Sequence, residues 1–203
     1  MANQPTSVIF DIGKVLIYWD PRGLYEKLID DPEELDWFLK EVVNFEWHHE
    51  HDRGLPFAVS LSQRSMDFPK YTDLIYAFRE RWSETIPGQI DEVVELLYKL
   101  QAGGVPLYAL TNYSAETFPE LRSEFSWVGA FEDIVVSGEI GLVKPELPIY
   151  HLAKDRFGVE DGEALFIDDK LANIKAGEKV GFVGHHFTDA KTLEKDLKAR
   201  NLL

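Results

Sequence analysis

Acidic and polar side chains directly follow several short apolar runs in this sequence. Asp11 comes after SVIF, and the pair Asp168 and Asp169 comes after ALFI. Thr111 and Asn112 follow a third run, VPLYAL. Carboxylates can act as nucleophiles, proton donors or metal ligands, while hydroxyl and amide groups can bind substrate oxygens. These residue types are those of a site for polar chemistry on a bound ligand.

Three carboxylates at one site would need compensating positive charge. Two like charges about 4 Å apart repel by about 4 kcal/mol at an effective dielectric constant of about 20. Lys144, in GLVKPELPIY, would supply one positive charge, and a divalent cation could supply the rest. The chain has no cysteine, and no histidine lies in these segments. Hard oxygen ligands favour Mg²⁺, so the sequence predicts a magnesium site.

Each of these residues also has an ordinary structural explanation. An aspartate after a strand often caps a helix or forms a turn, and a Thr-Asn pair commonly does the same. Lys144 alone could be a surface lysine. The combination of all of them at strand ends is what favours a functional site.

The elements that would position these residues alternate between strands and helices. Short apolar runs predict strands at 7–10, 105–110, 133–136, 164–167 and 181–183. Apolar spacing of about 3.6 predicts helices at 90–101, 115–125, 147–157, 171–179 and 190–199. This order predicts an α/β fold with a doubly wound, Rossmann-like parallel sheet. Ligands bind beyond the carboxyl ends of such strands, so the polar side chains should meet there.

About 70 residues interrupt this alternation after the first strand. Helical patterns occur there at 23–29, 32–45 and 71–82, and an unstructured loop of that length would be unusual. We therefore expect an inserted helical cap domain at 18–86. The Rossmann-like core would comprise 1–17 and 87–203.

The bulk composition limits the possible partners. The 203 residues are 45% hydrophobic and carry a formal charge of -15, which disfavours binding to nucleic acid or to an anionic membrane. The start, MANQPTSVIF, does not resemble a signal peptide, and no apolar stretch approaches the roughly 18 residues of a membrane span. We expect a cytoplasmic protein, either a monomer or a homodimer, that acts on a small metabolite.

Four segments resemble the motifs of the haloacid dehalogenase-like hydrolase superfamily, and the resemblance extends over the whole chain. They are FDIGKVL, LTNYS, GLVKPELPIY and FIDDKLANIKAG. The resemblance is to the capped phosphatases, and it implies hydrolysis of a small phosphomonoester through an aspartyl-phosphate on Asp11. Thr111 and Asn112 would bind the phosphoryl group, and Lys144 would steady it together with the nucleophile.

The resemblance also implies a set of metal ligands. Magnesium would be held by Asp11, the backbone carbonyl of Gly13, Asp168 and Asp169. Asn173 and Tyr150 flank the motifs and are expected to support the site.

Gly13 departs from the pattern of the family. Family phosphatases usually carry a second aspartate there, which protonates the leaving oxygen and then activates water; such a group contributes about 10²–10⁴-fold. The substrate could need little help, as with a sugar phosphate such as glucose 1-phosphate, on which family members with the same D-x-G-x-V start act. A cap residue or a metal-bound water could replace the acid. The protein could also be a catalytically weak binding or regulatory member.

A second reaction of the family is an alternative. Its 2-haloacid dehalogenases use no metal, and their fourth motif resembles Ser-Ser-Asn. Asp168 and Asp169 stand there in this chain, and uncompensated acids would repel a carboxylate substrate. A dehalogenase-type hydrolase is therefore disfavoured.

The histidines of EWHHEH lie within the expected cap. His48 and His51 could share one face of a helix, but no further ligand follows at a recognisable metal-site spacing. We therefore expect a role other than metal binding. Trp19, Trp47, His48 and Arg53 could contact the substrate, while the two tryptophans could equally form the core of the cap.

Overall fold

The structure is a computed structural model that describes residues 4–203. Five parallel strands form one sheet in the order β3-β2-β1-β4-β5. The strands are β1 (Ser7–Phe10), β2 (Leu107–Thr111), β3 (Asp133–Val136), β4 (Ala164–Asp168) and β5 (Val183–His186). The predicted parallel sheet is therefore confirmed. The last strand begins later than predicted, because Gly181 has a φ of +99° and belongs to the turn before it.

Eleven α-helices accompany the strands within the described residues. Five follow β1: α1 (Arg22–Tyr25), α2 (Pro32–Trp37), α3 (Phe45–Asp52), α4 (Phe57–Asp67) and α5 (Thr72–Glu80). The others are α6 (Asp91–Ala102), α7 (Phe118–Glu124), α8 (Ser137–Ile140), α9 (Leu147–Phe157), α10 (Leu171–Lys179) and α11 (Ala190–Ala199). The longest has 12 residues, and along 4–203 no helix combines the length and apolar character needed to cross a bilayer.

Helices cover both faces of the sheet. In β1, Val8 and Phe10 belong to one buried apolar cluster and Ile9 to the other, because successive side chains of a strand point to opposite faces. The first cluster includes residues of α6, α7 and α11, and the second includes residues of α9 and α10. The fold is therefore α/β and doubly wound, as the sequence predicted.

The segment between β1 and β2 differs in detail from its prediction. One helix was expected over 32–45, but α2 runs into a π-helical turn at Phe38–Val42 and then stops. A separate helix, α3, begins at Phe45, because the Asn44 side chain accepts the Trp47 N–H at 2.9 Å and caps the new start. Helix α4 follows Pro56 and was not predicted.

The two ends of the inserted segment lie next to each other in the fold. Ile17 forms an antiparallel bridge with Gln89. The Tyr18 N–H donates to the Gly88 carbonyl at 2.9 Å, and the Ile90 N–H donates to the Leu16 carbonyl at 2.8 Å. Division into a core at 1–17 and 87–203 and a cap at 18–86 stays a prediction, with which this pairing agrees.

Candidate active site

Three carboxylates meet at the carboxyl edge of the sheet. Asp11 follows β1, and Asp168 and Asp169 stand at the end of β4, which pairs with β1 through Phe10 and Ile167. One ligand oxygen from each carboxylate lies within 4.8 Å of the others. The structure thus brings together the acidic residues that the sequence proposed as nucleophile and metal ligands.

Lys144 lies inside this cluster and is only 2% exposed. Its Nζ atom donates to the Leu110 carbonyl at 2.8 Å and to Asp168 Oδ2 at 2.7 Å, and it is 2.9 Å from Asp11 Oδ1. These contacts use all three donors of the ammonium group. Burial alone would lower the pKa of Lys144, but Asp11 and Asp168 outweigh it and raise that pKa. The lysine is therefore charged.

Asn112 holds the segment that carries this lysine. Its amide nitrogen donates to the Lys144 carbonyl at 3.0 Å, and its amide oxygen accepts the Lys144 N–H at 2.8 Å. Thr111 is fully buried beneath, with no partner for its hydroxyl among residues 4–203, and it is not among the side chains that line the cavity. The roles in phosphoryl binding predicted for Thr111 and Asn112 remain predictions.

Asp168 is held rigidly by its neighbours. The Asn173 amide nitrogen lies 2.9 Å from both carboxylate oxygens, and the Lys170 N–H donates to Oδ1 at 2.8 Å. Tyr150 is fully buried, and its ring packs edge-on against Phe166. Burial raises the pKa of Tyr150, and the charges of Asp168 and Asp11 add to the effect. Both motif-flanking residues therefore lie beside the cluster.

The cluster is short of positive charge. Burial raises the pKa of Asp11 to about 7; Lys144 opposes this shift, and Asp168 and Asp169 add to it. Burial and the neighbouring Asp168 also raise the pKa of Asp169. Lys144 contacts Asp11 and Asp168, and Lys170 and Lys14 offset part of the charge of Asp169 without preventing the rise of its pKa. A divalent cation with a preference for oxygen ligands would therefore suit this set of donors.

A cavity of about 460 Å³ opens above these residues, a volume within the range of small-molecule pockets. Its polar end is formed by Asp11, Gly13, Asn112, Lys144, Asp169 and Asn173. Five aromatic rings lie in its other walls: Trp19, Phe45, His48 and Trp82 come from the inserted segment, and Tyr113 follows β2. Lys14, Asp52, Ser114 and Lys170 add charged and polar groups. The cavity thus combines an acidic, polar end with an aromatic chamber.

Only some of the cap residues singled out from the sequence reach this cavity. Trp19 and His48 line it, whereas Trp47 packs against Phe78 with ring centroids 5.1 Å apart. Arg53 forms an ion pair with Glu146 at 2.5 Å. Both ring nitrogens of His51 are hydrogen-bonded, to the His48 carbonyl and to Ser60, which leaves His51 unsuited to hold a metal with His48.

Other cavity residues were not identified from the sequence. They are Lys14, Ile17, Phe45, Asp52, Trp82, Tyr113, Ser114 and Lys170. Lys170, directly after the Asp168-Asp169 pair, was recognisable as a neighbouring charge. The residues from the inserted segment carry no comparable signal, because their place depends on how its helices pack.

Comparison with known proteins shows the family of the chain. A family model for haloacid dehalogenase-like hydrolases matches residues 7–181. The chain belongs to this family, and the protein is a hydrolase.

Particular relatives include two phosphatases. The chain is 30% identical over 193 residues to a sesquiterpene phosphatase of Aspergillus oryzae, an alignment that covers 94% of this chain and 93% of that protein. It is 28% identical over 132 residues to the glyceraldehyde 3-phosphate phosphatase of Methanopyrus kandleri, covering 64% and 52%. A haloacid dehalogenase family enzyme of Bacteroides thetaiotaomicron, crystallised with magnesium and inorganic phosphate, shares the fold with a TM-score of 0.69 and 19% identity, covering 91% and 94%.

Proposed function

We propose that this protein hydrolyses a small phosphomonoester in a magnesium-dependent reaction, with Asp11 as the nucleophile. The supporting observation is the cluster of three carboxylates, two of them buried, with Lys144 at one end of a cavity. The two phosphatases among the relatives support the same class of reaction.

The donor set fits a hard divalent cation. Asp11, Asp168, Asp169 and the backbone carbonyl of Gly13 would hold it. Bound magnesium would offset the negative charge of the carboxylates and of the phosphoryl oxygens. Magnesium also occurs in a family structure with the same fold.

The residues of the chain perform the covalent steps. An Asp11 carboxylate oxygen attacks phosphorus, the bond from phosphorus to the leaving oxygen breaks, and that oxygen takes up a proton and departs as the alcohol. Water then attacks the phosphorus of the aspartyl-phosphate and gives up a proton, which releases inorganic phosphate and restores Asp11. Lys144 fixes the position of the nucleophile and stabilises charge on the phosphoryl oxygens, because its ammonium group is already buried beside Asp11.

Adding magnesium should stabilise the protein more strongly at pH 8 than at pH 6. Burial raises the pKa of Asp11 to about 7, so at pH 6 a proton competes with the cation for that carboxylate. The measurement is the shift in thermal midpoint on adding magnesium at each pH, with Asp169→Asn as a variant that should lose the shift. Equal shifts of the thermal midpoint at both pH values would contradict competition between the proton and magnesium for Asp11.

The walls of the cavity favour an apolar alcohol as the leaving group. Apart from the polar end, the lining includes Ile17, Trp19, Phe45, Trp82 and Tyr113. Burying apolar surface contributes about 0.8 kcal/mol per methylene, so this wall would select a hydrocarbon chain. The alignment with a sesquiterpene phosphatase over nearly its whole length supports this choice. A sugar phosphate such as glucose 1-phosphate is the second candidate, favoured by the absence of an acid at Gly13.

An assay of paired substrates tests the proposal. With magnesium present, an isoprenyl monophosphate should be hydrolysed with a kcat/KM at least about tenfold higher than that of glucose 1-phosphate, because several methylenes are buried. Trp19→Ala should narrow that difference, whereas Trp37→Ala, which alters an exposed tryptophan outside the cavity, should not. A higher kcat/KM for glucose 1-phosphate than for the isoprenyl monophosphate would contradict the choice of an apolar alcohol and favour a sugar phosphate as the substrate.

The same assay separates the remaining alternatives. Release of chloride from 2-chloropropionate without metal would support the dehalogenase reaction instead. Binding of phosphorylated compounds with no phosphate release across both classes would support a binding or regulatory member.

A further inference from the structure

Gly13 leaves an open place in the cavity. A Cβ atom built on this residue would meet no other atom within 4 Å, so packing does not require glycine there. Hydrolysis of an alkyl phosphate still needs a group that gives a proton to the leaving oxygen and accepts one from water. The cavity wall offers two titratable side chains from one helix of the inserted segment, His48 and Asp52 of α3.

The His48 ring is fixed by stacking. It lies between Trp19 and Trp82, with ring centroids 4.5 Å and 5.7 Å away and interplanar angles of 27° and 16°. Its Nδ1 atom is buried and has no hydrogen-bond partner in the described part of the chain. The imidazole is therefore held in a defined plane by its faces, while its polar edge is not engaged by other protein groups at hydrogen-bond distance.

Asp52 lies one turn further along α3 and is only 4% exposed. Its Oδ1 atom is 3.8 Å from His48 Nε2 and has no hydrogen-bond partner within 4–203. The other oxygen, Oδ2, is 3.4 Å from His49 Nδ1, and His49 does not line the cavity. A buried carboxylate oxygen without a hydrogen bond is costly, so the nearby imidazole of His48 is a natural proton carrier for Oδ1. The pair therefore resembles an imidazole and its orienting carboxylate more than ordinary core packing.

The charges around His48 set its resting state. Burial lowers the pKa of His48; Asp52 opposes this, and the neighbouring His49 and Lys170 lower it further. His51, on the same helix, also interacts with it electrostatically. The free protein should hold a neutral imidazole. A bound phosphate dianion would favour the imidazolium, because a nearby opposite charge stabilises the charged form.

We propose that His48, positioned by Asp52, supplies the acid–base group that is absent at residue 13. This inference rests on the proposed phosphatase function. As the bond between phosphorus and the leaving oxygen breaks, the imidazolium gives its proton to that oxygen, and the alcohol leaves. The neutral imidazole then takes a proton from the water that attacks the aspartyl-phosphate, so phosphate is released and His48 is protonated again.

Removing the imidazole should affect poor leaving groups selectively. In His48→Asn with magnesium, first-turnover alcohol release from an alkyl phosphate should fall by about 10²–10⁴-fold. First-turnover release from p-nitrophenyl phosphate should change far less, because nitrophenolate leaves without a proton. Slow water attack should then leave phosphorylated Asp11 to accumulate, which rapid quenching and mass measurement of the protein would detect.

Two further variants separate chemistry from structure. The double variant Gly13→Asp/His48→Asn should release alcohol from the alkyl ester at least about tenfold faster than His48→Asn alone. The reason is that a carboxyl group fits the open place at residue 13. His51→Asn alters a buried histidine of the same helix that does not line the cavity. It should lower thermal stability and change the first-turnover rates of both esters by the same factor.

The proposal is overturned if His48→Asn slows both esters equally in the first turnover and Gly13→Asp restores nothing. His48 would then be only part of the wall. If the unaltered protein releases phosphate from neither ester, the phosphatase function itself fails, and this inference falls with it.

Discussion

Replacing Asp11 with asparagine should abolish turnover while the fold survives. The amide has the same shape as the carboxylate but cannot attack phosphorus, so no aspartyl-phosphate forms. A loss of at least about 10⁴-fold in kcat is expected, as for other enzymes that lose a nucleophile. Steady-state assays with the preferred monoester, and a search for a phosphorylated protein after quenching, would measure it.

The fold of this variant should change little. Asparagine has nearly the same size as the buried Asp11 side chain, and Lys144 keeps Asp168 as its partner at 2.7 Å, so no buried charge is left unpaired. As a control, the thermal midpoint of Asp11→Asn measured in chelator should be close to that of the unaltered protein. Turnover near the original level would refute the assignment of the nucleophile.

Replacing Lys144 with methionine should destabilise the protein strongly. The ammonium group is the partner of both Asp11 and Asp168, and removing one side of a buried ion pair costs about 3–5 kcal/mol. Denaturant unfolding in chelator would measure the loss. Activity should also disappear, because the phosphoryl oxygens lose their buried cation.

The loss in Lys144→Met should grow with pH. The folded-state pKa of Asp11, about 7, lies above its usual value of 3.8, so the folded state binds protons more tightly than the unfolded state. The free energy of unfolding of the unaltered protein therefore falls as pH rises between about 4 and 7. Lys144 lowers the folded-state pKa of Asp11, so in Lys144→Met this fall continues to higher pH. Lys70→Met, at an exposed pair with Glu34, is the matched control and should change little. A loss that is equal at pH 5 and pH 8 would contradict unpaired carboxylates as its cause.

The sheet and the helices of the core could be predicted because their signals are local. Helices α9, α10 and α11 have the predicted bounds. The end of α9, for example, is marked by Gly158, whose φ of +63° suits the left-handed position after a helix. The carboxylate cluster was predictable for a related reason, since each acid directly follows a buried strand.

The inserted helices could not be predicted in the same way. The buried residues of α3 are His48, His51 and Asp52, so its inner face is polar and gives no apolar periodicity. The aromatic chamber was missed because it joins residues from distant parts of the inserted segment with a residue that follows β2. Tertiary packing, and no local pattern, brings Trp19, His48 and Trp82 into one stack.

The bridge between Ile17 and Gln89 has a consequence for how such an enzyme can diversify. Because the inserted segment begins and ends at neighbouring points, it can be exchanged or redesigned without a change in the path of the strands and loops that position Asp11 and Lys144. Selectivity for the alcohol and the nucleophilic attack are then carried by different parts of one polypeptide, while the acid–base group proposed at His48 belongs to the inserted segment. Grafting the inserted segment of another phosphatase between these two points should transfer preference for the alcohol and leave Asp11 and Lys144 in place, but it would replace His48 and Asp52, so the graft must bring its own acid–base group.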